Sequence, residues 1–235
     1  TDGQFDLFAA PGSGSVSEEE VAAGFKTIEN TNHFYQHIDS PLSRKLLLKK
    51  LLQQKAVCFD TETTGLKALE VELIGIAFSY EIGKGYYVSC PEDQKETEAI
   101  LDEFRPFFEA DHIEKIGHNL KYDLKVLSNY NLTVKGKLFD TMIAHYLINP
   151  DMRHNMDMLA ETYLNYQPVS ITALIGKKGK NQLSMREVPL ADQTEYAVED
   201  ADITLQLKEH FTKELESGNV AALFNDVELP LVSVL

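Results

Sequence analysis

The sequence predicts an α/β fold in which a mixed β-sheet is flanked by helices. Short runs rich in β-branched and aromatic residues come first along the chain and include a hairpin pattern. Strand and helix patterns then alternate, as they do in mixed α/β sheets. Apolar residues make up 43% of the 235 residues, which is enough for one large domain with a sizeable core.

The first elements are a helix and three strands. Ser40 and Pro41 predict a helix start, because proline favours the first helical turn. The run 56–59 predicts a buried strand, and residues 72–80 and 85–89 predict a hairpin around a glycine-containing turn. The apolar positions of the first helix recur at helical spacing at Leu42, Leu46, Leu47 and Leu51.

Helices dominate the rest of the chain. Residues 96–108 form an amphipathic pattern, residues 114–117 predict a short strand, and residues 120–130 predict a helix. We find no internal repeat. Further helices are predicted at about 141–147, 156–163 and 191–215.

Composition limits the classes of function. The chain has 22 basic and 37 acidic residues and a net charge of −15, which argues against coating duplex DNA by neutralising its phosphates. Acidic residues can instead hold divalent cations that meet the phosphates. No apolar run approaches the ~20 residues of a membrane span, and no signal segment is present. Cys58 and Cys90 do not predict a disulfide framework, and the cytoplasm is the expected compartment.

The residues with the clearest chemical potential begin at Asp60 and Glu62. Two carboxylates two residues apart on a strand point to the same face, and these follow a buried apolar run. Unpaired charges are costly there, and a hard divalent cation would stabilise them. Two solvated acids just past the strand end are an alternative that this motif alone leaves open.

Two later motifs carry further acids. Asn119 suits a helix N-cap and would place Asp123 one turn into the helix. Tyr196 and Asp200 are i and i+4 on a predicted helix and share one face. By itself each motif is also typical of surface acids. On the same helix, Glu199 is expected to face solvent and Asp202 to point elsewhere.

Together the motifs have the chain order Asp-x-Glu, Asn-x-x-x-Asp, Tyr-x-x-x-Asp. In this order the sequence resembles the tyrosine subclass of the DEDD superfamily of 3′–5′ exonucleases, which implies a ribonuclease H-like fold. The segments FDTETTGL, NLKYD, FDTM, KGKNQL and YAVEDADITLQL further resemble the proofreading domain of bacterial family A DNA polymerases. The resemblance covers the chain from about Phe25 to its end.

The resemblance implies a catalytic set of Asp60, Glu62, Asp123, Tyr196 and Asp200. It implies two divalent metal ions, Mg²⁺ or Mn²⁺, with Asp60, Glu62 and Asp200 at the ion that activates water. Asp60 would bridge to a second ion near Asp123, and the Tyr196 hydroxyl would hold the attacking water. A histidine in place of Tyr196 would mark the other subclass.

The implied substrate is the 3′ end of single-stranded DNA, bound with little sequence preference. Leu66 is expected to wedge between terminal bases, as apolar faces suit stacking. His118 stands where some relatives have glutamine, and Ile171 is the nearest match to an expected aromatic residue. Arg153 and the basic stretch with Lys177, Lys178 and Lys180 are expected to contact phosphates, with a solvated basic loop as the alternative. The expected substrate-binding residues are Thr63, Leu66, His118, Asn119, Lys121, Tyr122, Arg153, Lys178 and Lys180.

The resemblance also implies a domain organisation. Residues 1–24 are expected to be a linker after a 5′-nuclease domain, residues 25–215 the exonuclease domain, and residues 216–235 the start of a polymerase domain. That polymerase domain would be the partner of the exonuclease domain in a full-length chain that acts in replication and repair. No membrane partner is expected, and the fragment is expected to be a monomer. Two other hypotheses are a ribonuclease D-like RNA-processing exonuclease and a catalytically silent scaffold domain.

Overall fold

The computed structural model describes residues 24–179, 181–232 and 234. Residues 1–23, which carry most of the predicted linker, and Lys180 lie outside the described residues. The described part of the chain contains a six-stranded sheet. Its strands are β1 (Phe34–His37), β2 (Ala56–Thr63), β3 (Leu73–Glu81), β4 (Lys84–Ser89), β5 (Glu114–Gly117) and β6 (Leu138–Asp140).

The strand order is β1-β4-β3-β2-β5-β6. Strand β3 pairs antiparallel with both β2 and β4, and the β3–β4 turn contains Gly83 at φ +74°, a backbone conformation that glycine adopts without strain. Strand β1 is parallel to β4, and β5 is parallel to both β2 and β6. This arrangement confirms the predicted mixed α/β sheet.

The helices confirm most of the predicted segments, with boundaries shifted by a few residues. A π-helical turn, Ala160–Leu164, continues α5, and a 3-10 turn, Met185–Glu187, precedes α7. Among the described residues, none of these helices has both the length and the apolar composition of a membrane span. The helices are α1 (Pro41–Leu51), α2 (Gln94–Phe108), α3 (Leu120–Ser128), α4 (Thr141–Ile148), α5 (Met156–Leu159), α6 (Ile171–Ile175), α7 (Leu190–Ser217), α8 (Ala221–Leu223) and α9 (Leu229–Val232).

The long helix α7 packs directly on the sheet. A Cβ placed on Gly85 would overlap the Val198 side chain, so the missing side chain lets the helix approach β4 closely. Aromatic side chains of the sheet also pack on α2: the ring centroids of Phe78 and Phe104 are 5.5 Å apart. Burial on both sides explains why the central strands are apolar runs.

Strand β2 is longer than its apolar run. The predicted strand ended at Phe59, but pairing with β3 continues to Thr63, with Asp60 opposite Ala77 and Glu62 opposite Gly75. The hydrogen bonds of the partner strand therefore extend β2 through polar residues. As a result the two acids lie within a central strand instead of just beyond its end.

Other differences from prediction concern short or exposed elements. Strands β1 and β6 and helices α6, α8 and α9 were not predicted. In α1, Leu47 and Leu51 are buried, whereas Leu42 and Leu46 are exposed. Helix α1 packs against α2 through one face only. That face has room for the buried pair Leu47 and Leu51, and the other pair stays exposed.

Candidate active site

Three carboxylates meet where β2 passes beneath α7. Asp60, Glu62 and Asp200 each offer an oxygen, and these oxygens lie within 4.8 Å of one another. The i, i+2 spacing on β2 directs the first two to one face, and α7 crosses that face with Asp200. Within the described part of the chain, the ion pairs found involve none of these three carboxylates. Three close carboxylates without a cationic side chain are a suitable ligand set for a hard divalent ion.

The carboxylates hold protons more tightly than free acids. Burial raises the pKa of the Asp60 carboxyl to about 7. Burial, followed by the charge of Asp60, also raises the pKa of Glu62 and of Asp200. Burial and mutual repulsion both disfavour the ionised form, and a bound cation would relieve both.

Asp123 lies beside this group on α3. It lines the same cavity but is not one of the three carboxylates within 4.8 Å. Its Oδ1 accepts hydrogen bonds from the Thr61 amide at 3.2 Å and the Thr61 hydroxyl at 2.5 Å. Burial, and then the charge of Asp60, raise the pKa of Asp123, which shows that the two acids interact electrostatically. Thr61, which the sequence did not single out, therefore fixes Asp123 against β2.

Tyr196 stands one helical turn before Asp200. Its hydroxyl interacts with the Asp200 carboxylate, and its half-buried ring packs on a small apolar cluster. Burial, then the charges of Asp200, Glu62 and Asp60, raise the pKa of the tyrosine hydroxyl. The hydroxyl therefore keeps its proton at neutral pH and is a hydrogen-bond donor beside the carboxylates.

The start of α3 is held by an acid that was not predicted. Asn119 occupies the N-cap position, as expected, but at φ 64° its side chain makes no capping bond. The buried Asp140 carboxylate accepts from the amides of Asn119 (3.2 Å) and Leu120 (2.7 Å). It also accepts from the Met142 (2.9 Å) and Ile143 (3.2 Å) amides, so one side chain caps both α3 and α4.

These residues surround a cavity of about 530 Å³. The carboxylates and Tyr196 line one side, and residues between 171 and 185 line the other. The lining residues are Asp60, Thr61, Glu62, Thr63, Thr64, Gly65, Leu66, His118, Asn119, Tyr122, Asp123, Ile171, Ile175, Lys178, Gln182, Leu183, Ser184, Met185, Tyr196 and Asp200.

The structure brings most, but not all, of the expected substrate residues to this cavity. Lys121 instead lines a separate cleft with Leu124 and Lys125. Arg153 is exposed in the turn before α5 and is not among the lining residues. Lys180 lies outside the described residues. Those that do line the cavity are Thr63, Leu66, His118, Asn119, Tyr122 and Lys178.

The cavity mouth is organised by hydroxyl groups. The Tyr122 hydroxyl donates to the Gly65 carbonyl at 2.6 Å, and the Thr63 hydroxyl lies 2.9 Å from the same carbonyl. The two hydroxyl oxygens are 2.5 Å apart. These bonds fix the loop after β2, where the Leu66 side chain is 91% exposed. An anchored loop thus presents a solvated apolar side chain at the entrance.

The prediction that Glu199 faces solvent was wrong. Glu199 is fully buried, and its carboxylate accepts from the Tyr166 hydroxyl at 2.6 Å and the Val169 amide at 2.8 Å. Asp202 does point away from the cavity, where it accepts from the Tyr35 hydroxyl and the Gly83 amide. Partners from distant segments satisfy both acids, and the local helical pattern does not reveal such partners.

One of the two unpredicted parts of the site, Asp140, carries a signal in the sequence. Asp140 follows a short apolar run and precedes Thr141, which is a typical helix-start pattern. It could have been identified as a cap, although not as a cap for two helices. Residues 171–185 offered no comparable signal, because neither a strand nor a helix period extends through them.

The chain is similar to known proteins over most of its length. A family model described as 3′–5′ exonuclease matches residues 35–216. DNA polymerase I of Pseudomonas aeruginosa is 33% identical over 198 residues, which is 80% of this chain and 22% of that protein. DNA polymerase I of Borreliella burgdorferi is 33% identical over 212 residues, 89% of this chain and 23% of that protein. The chain thus spans less than a quarter of these relatives.

Solved structures share the fold. Brucella melitensis NrnC has a TM-score of 0.65 at 24% identity and covers 86% of this chain and 91% of its own. The catalytic core of Trypanosoma brucei RRP6 has a TM-score of 0.68 at 19% identity, and the match covers 87% of this chain and 55% of that one. These similarities confirm the ribonuclease H-like exonuclease fold. The family model across residues 35–216 and the 33% identity to DNA polymerase I lead to one conclusion. The chain belongs to the 3′–5′ exonuclease family found in bacterial DNA polymerase I.

Proposed function

We propose that this chain is a metal-dependent exonuclease that hydrolyses nucleotides from the 3′ end of single-stranded or frayed DNA. The observation that carries the proposal is the group of Asp60, Glu62 and Asp200, whose carboxylates lie together at a cavity and, among the described residues, form no ion pair with a cationic side chain. Membership in the 3′–5′ exonuclease family supports the direction and type of reaction.

The carboxylate oxygens fit divalent ions. We propose that two such ions bind and that they are Mg²⁺ or Mn²⁺. Asp60, Glu62 and Asp200 would hold one ion, and Asp60 with Asp123 the other. When bound, such ions supply hydroxide near neutral pH and neutralise charge on the phosphate. In support, the similar NrnC of B. melitensis has been solved with bound Mg²⁺.

The other groups position the reactants. The protonated Tyr196 hydroxyl, beside Asp200, would orient the attacking water by hydrogen bonding. The Thr61 amide and hydroxyl hold Asp123 in place before any ion binds. Preorganised ligands reduce the reorganisation needed during the reaction.

We propose that the strand end enters past Leu66, whose exposed side chain would stack against the terminal base. Thr63, His118, Asn119 and Tyr122 would line its path, and Lys178 would contact a phosphate. Lys121 and Arg153 lie away from the cavity and would meet only a strand that continues outside it. Lys180 stays a prediction from the sequence.

We further propose that residues 25–215 are the proofreading module of a cytoplasmic DNA polymerase I in replication and repair, and that the isolated chain is a monomer. In support, the matching relatives are DNA polymerase I chains far longer than this one. Residues 216–235 would begin the polymerase domain, which would deliver the primer end to the cavity. Residues 1–24 would be the linker.

The decisive experiment compares the trimming of DNA and RNA. Single strands of equal length and sequence, labelled at the 5′ end, are incubated with the chain in Mg²⁺, in Mn²⁺ or in EDTA. We expect a ladder of shortened DNA that retains its 5′ label and disappears in EDTA. Strong preference for RNA would favour the RNA-processing alternative. Failure to trim either strand would support the silent scaffold and contradict the proposal.

A further inference from the structure

One buried amide holds the end of the cavity side that faces the carboxylates. Gln193 lies near the start of α7 and is 6% exposed. Its Nε2 donates to the carbonyls of Met185 at 3.0 Å and Val188 at 2.8 Å. Both amide hydrogens are therefore used to hold the 3-10 turn that ends this side of the cavity.

The acceptor atom of the same amide is also occupied. Gln193 Oε1 accepts from the Tyr87 hydroxyl at 3.2 Å. The tyrosine reaches this point across Gly75, where a Cβ would overlap its ring. Gly75 is the β3 residue paired with Glu62, so the amide connects the turn to a β4 side chain that crosses β3 next to a site carboxylate. A buried amide with all of its groups paired is a strong geometric constraint.

The turn held by Gln193 supports the tyrosine ring. Met185 and Val188 are buried with Ile74 in a small apolar cluster separate from the main core, and the Tyr196 ring packs on it. Gln193 is three residues before Tyr196, so on a helix the two side chains are neighbours. The main core therefore does not by itself determine where the Tyr196 ring lies.

We infer that Gln193 is a positioning residue, which holds the Met185 turn against the Tyr196 ring and so keeps the tyrosine hydroxyl at Asp200. The inference rests on the proposed exonuclease function. Gln193 need not contact the substrate, since it acts through Met185. Small displacements of a positioned group can reduce a rate by up to about 10²-fold.

The test is a pair of substitutions in two backgrounds. Gln193→Leu keeps a similar volume but removes the amide, and we expect kcat for trimming to fall about tenfold with KM within about twofold. In a Tyr196→Phe background the same change should lower kcat by less than about twofold, because the hydroxyl is already absent. An equal fall in both backgrounds, or unchanged kcat in the single variant, would overturn the inference.

Gln206→Leu is the matched control. This glutamine is also on α7, and its amide donates to Asp202 at 3.2 Å, away from the cavity. We expect kcat to be unchanged in this variant. If Gln193→Leu does not fold, Tyr87→Phe removes only the hydroxyl that pairs with Gln193 Oε1 and should lower kcat about twofold to fivefold.

A second readout does not depend on activity. Hydrogen exchange of the Glu187 and Val188 amides, which close the 3-10 turn, should be faster in Gln193→Leu, while β2 amides exchange as in the wild type. Unchanged exchange at the turn would contradict the inference. A wild-type chain that trims neither DNA nor RNA would contradict the proposed function, and exchange would still test the contact.

Discussion

The two sides of the cavity are built differently. The carboxylate side consists of the central strand β2 and the helices α3 and α7, all packed into the main core. The described residues of the facing side, 171–179 and 181–188, include one five-residue helix and one 3-10 turn. This side is attached through the Ile74 cluster and through hydrogen bonds from side chains such as Gln193.

This difference separates two requirements of the site. Carboxylates that repel one another must be held by elements too stable to move apart, and a central strand and a long helix meet that requirement. A surface that receives a strand of varying sequence needs less rigidity, and loops with few core contacts adapt more easily. We therefore expect substitutions of the carboxylates, and of residues that position Tyr196, to change kcat, and substitutions of facing-side residues that would contact only the substrate to change KM.

The largest effect is expected at Asp60. Asp60→Ala should lower kcat for trimming at least about 10³-fold, since metal-held charge contributes several kcal/mol and each 1.36 kcal/mol is tenfold. The change also removes one repelling charge, so metal-free protein should unfold at the same or a higher temperature than wild type. Asp157→Ala, at an exposed acid on α5, should leave the rate unchanged. Trimming by Asp60→Ala at the wild-type rate would mean that the reaction occurs elsewhere.

The next effect is on thermal stability and depends on pH. Folding raises the pKa of Asp60 from its ordinary value of 3.8 to about 7. Between these two pH values the folded chain therefore binds more protons than the unfolded chain. Without metal, the free energy of unfolding should therefore fall as pH rises through this window. Mn²⁺ at about 100 times its dissociation constant should restore about 2.7 kcal/mol at pH 8.

Protons compete with the ion, so this gain should shrink at pH 5.5. Thermal unfolding in Mn²⁺ and in EDTA, followed from pH 5.5 to 8, measures both trends. An increase in Tm that is independent of pH would show that the ion does not bind at the acids with raised pKa. The Asp60→Ala variant should show a smaller increase at every pH.

A smaller effect is expected at Asp140, on the carboxylate side but outside the ligand group. Asp140→Ala removes the capping side chain of α3 and α4 and should lower the free energy of unfolding by about 2 kcal/mol, at about 1 kcal/mol for each cap. Asp140→Asn keeps one acceptor oxygen and should lower it less. Urea denaturation of the metal-free chain measures the differences. Equal stability of all three proteins would contradict the double-cap role.

The smallest effect is expected on the facing side, at Lys178. Lys178→Ala should raise KM about threefold to fivefold, leave kcat nearly unchanged and reduce the dependence of binding on salt. Lys177→Ala is the control, because this neighbouring lysine is exposed and does not line the cavity. A fall in kcat with constant KM would show that the two sides are not functionally distinct.

The sequence predicted the carboxylate side more completely than the facing side. Strand β2 and helix α7 carry apolar periods long enough to identify, and their acids follow a chain order specific to one group of enzymes. The four-residue strand β1 was missed because Phe34 is exposed and the segment has no apolar run. Its position depends on pairing with β4, and local sequence does not encode that pairing.

The misplaced residues share a physical cause. Glu199 was expected at the surface, but Tyr166 and Val169 provide its partners from a segment about thirty residues away. The path of residues 185–188 depends on Gln193, whose three bonds involve two other segments of the chain. In both cases the position is set by hydrogen bonds between residues far apart in the sequence. A helical or strand period does not reveal such bonds.

The separation of the site acids along the chain has a consequence during synthesis. Asp60 lies on β2 and Asp200 on α7, and a ribosome that adds about 5–20 residues per second needs on the order of ten seconds to make the chain between them. Until α7 is translated and docks, the acids of β2 and α3 lack Asp200. Under the proposed function, an emerging chain would therefore be inactive toward nearby nucleic acid until its last long helix folds.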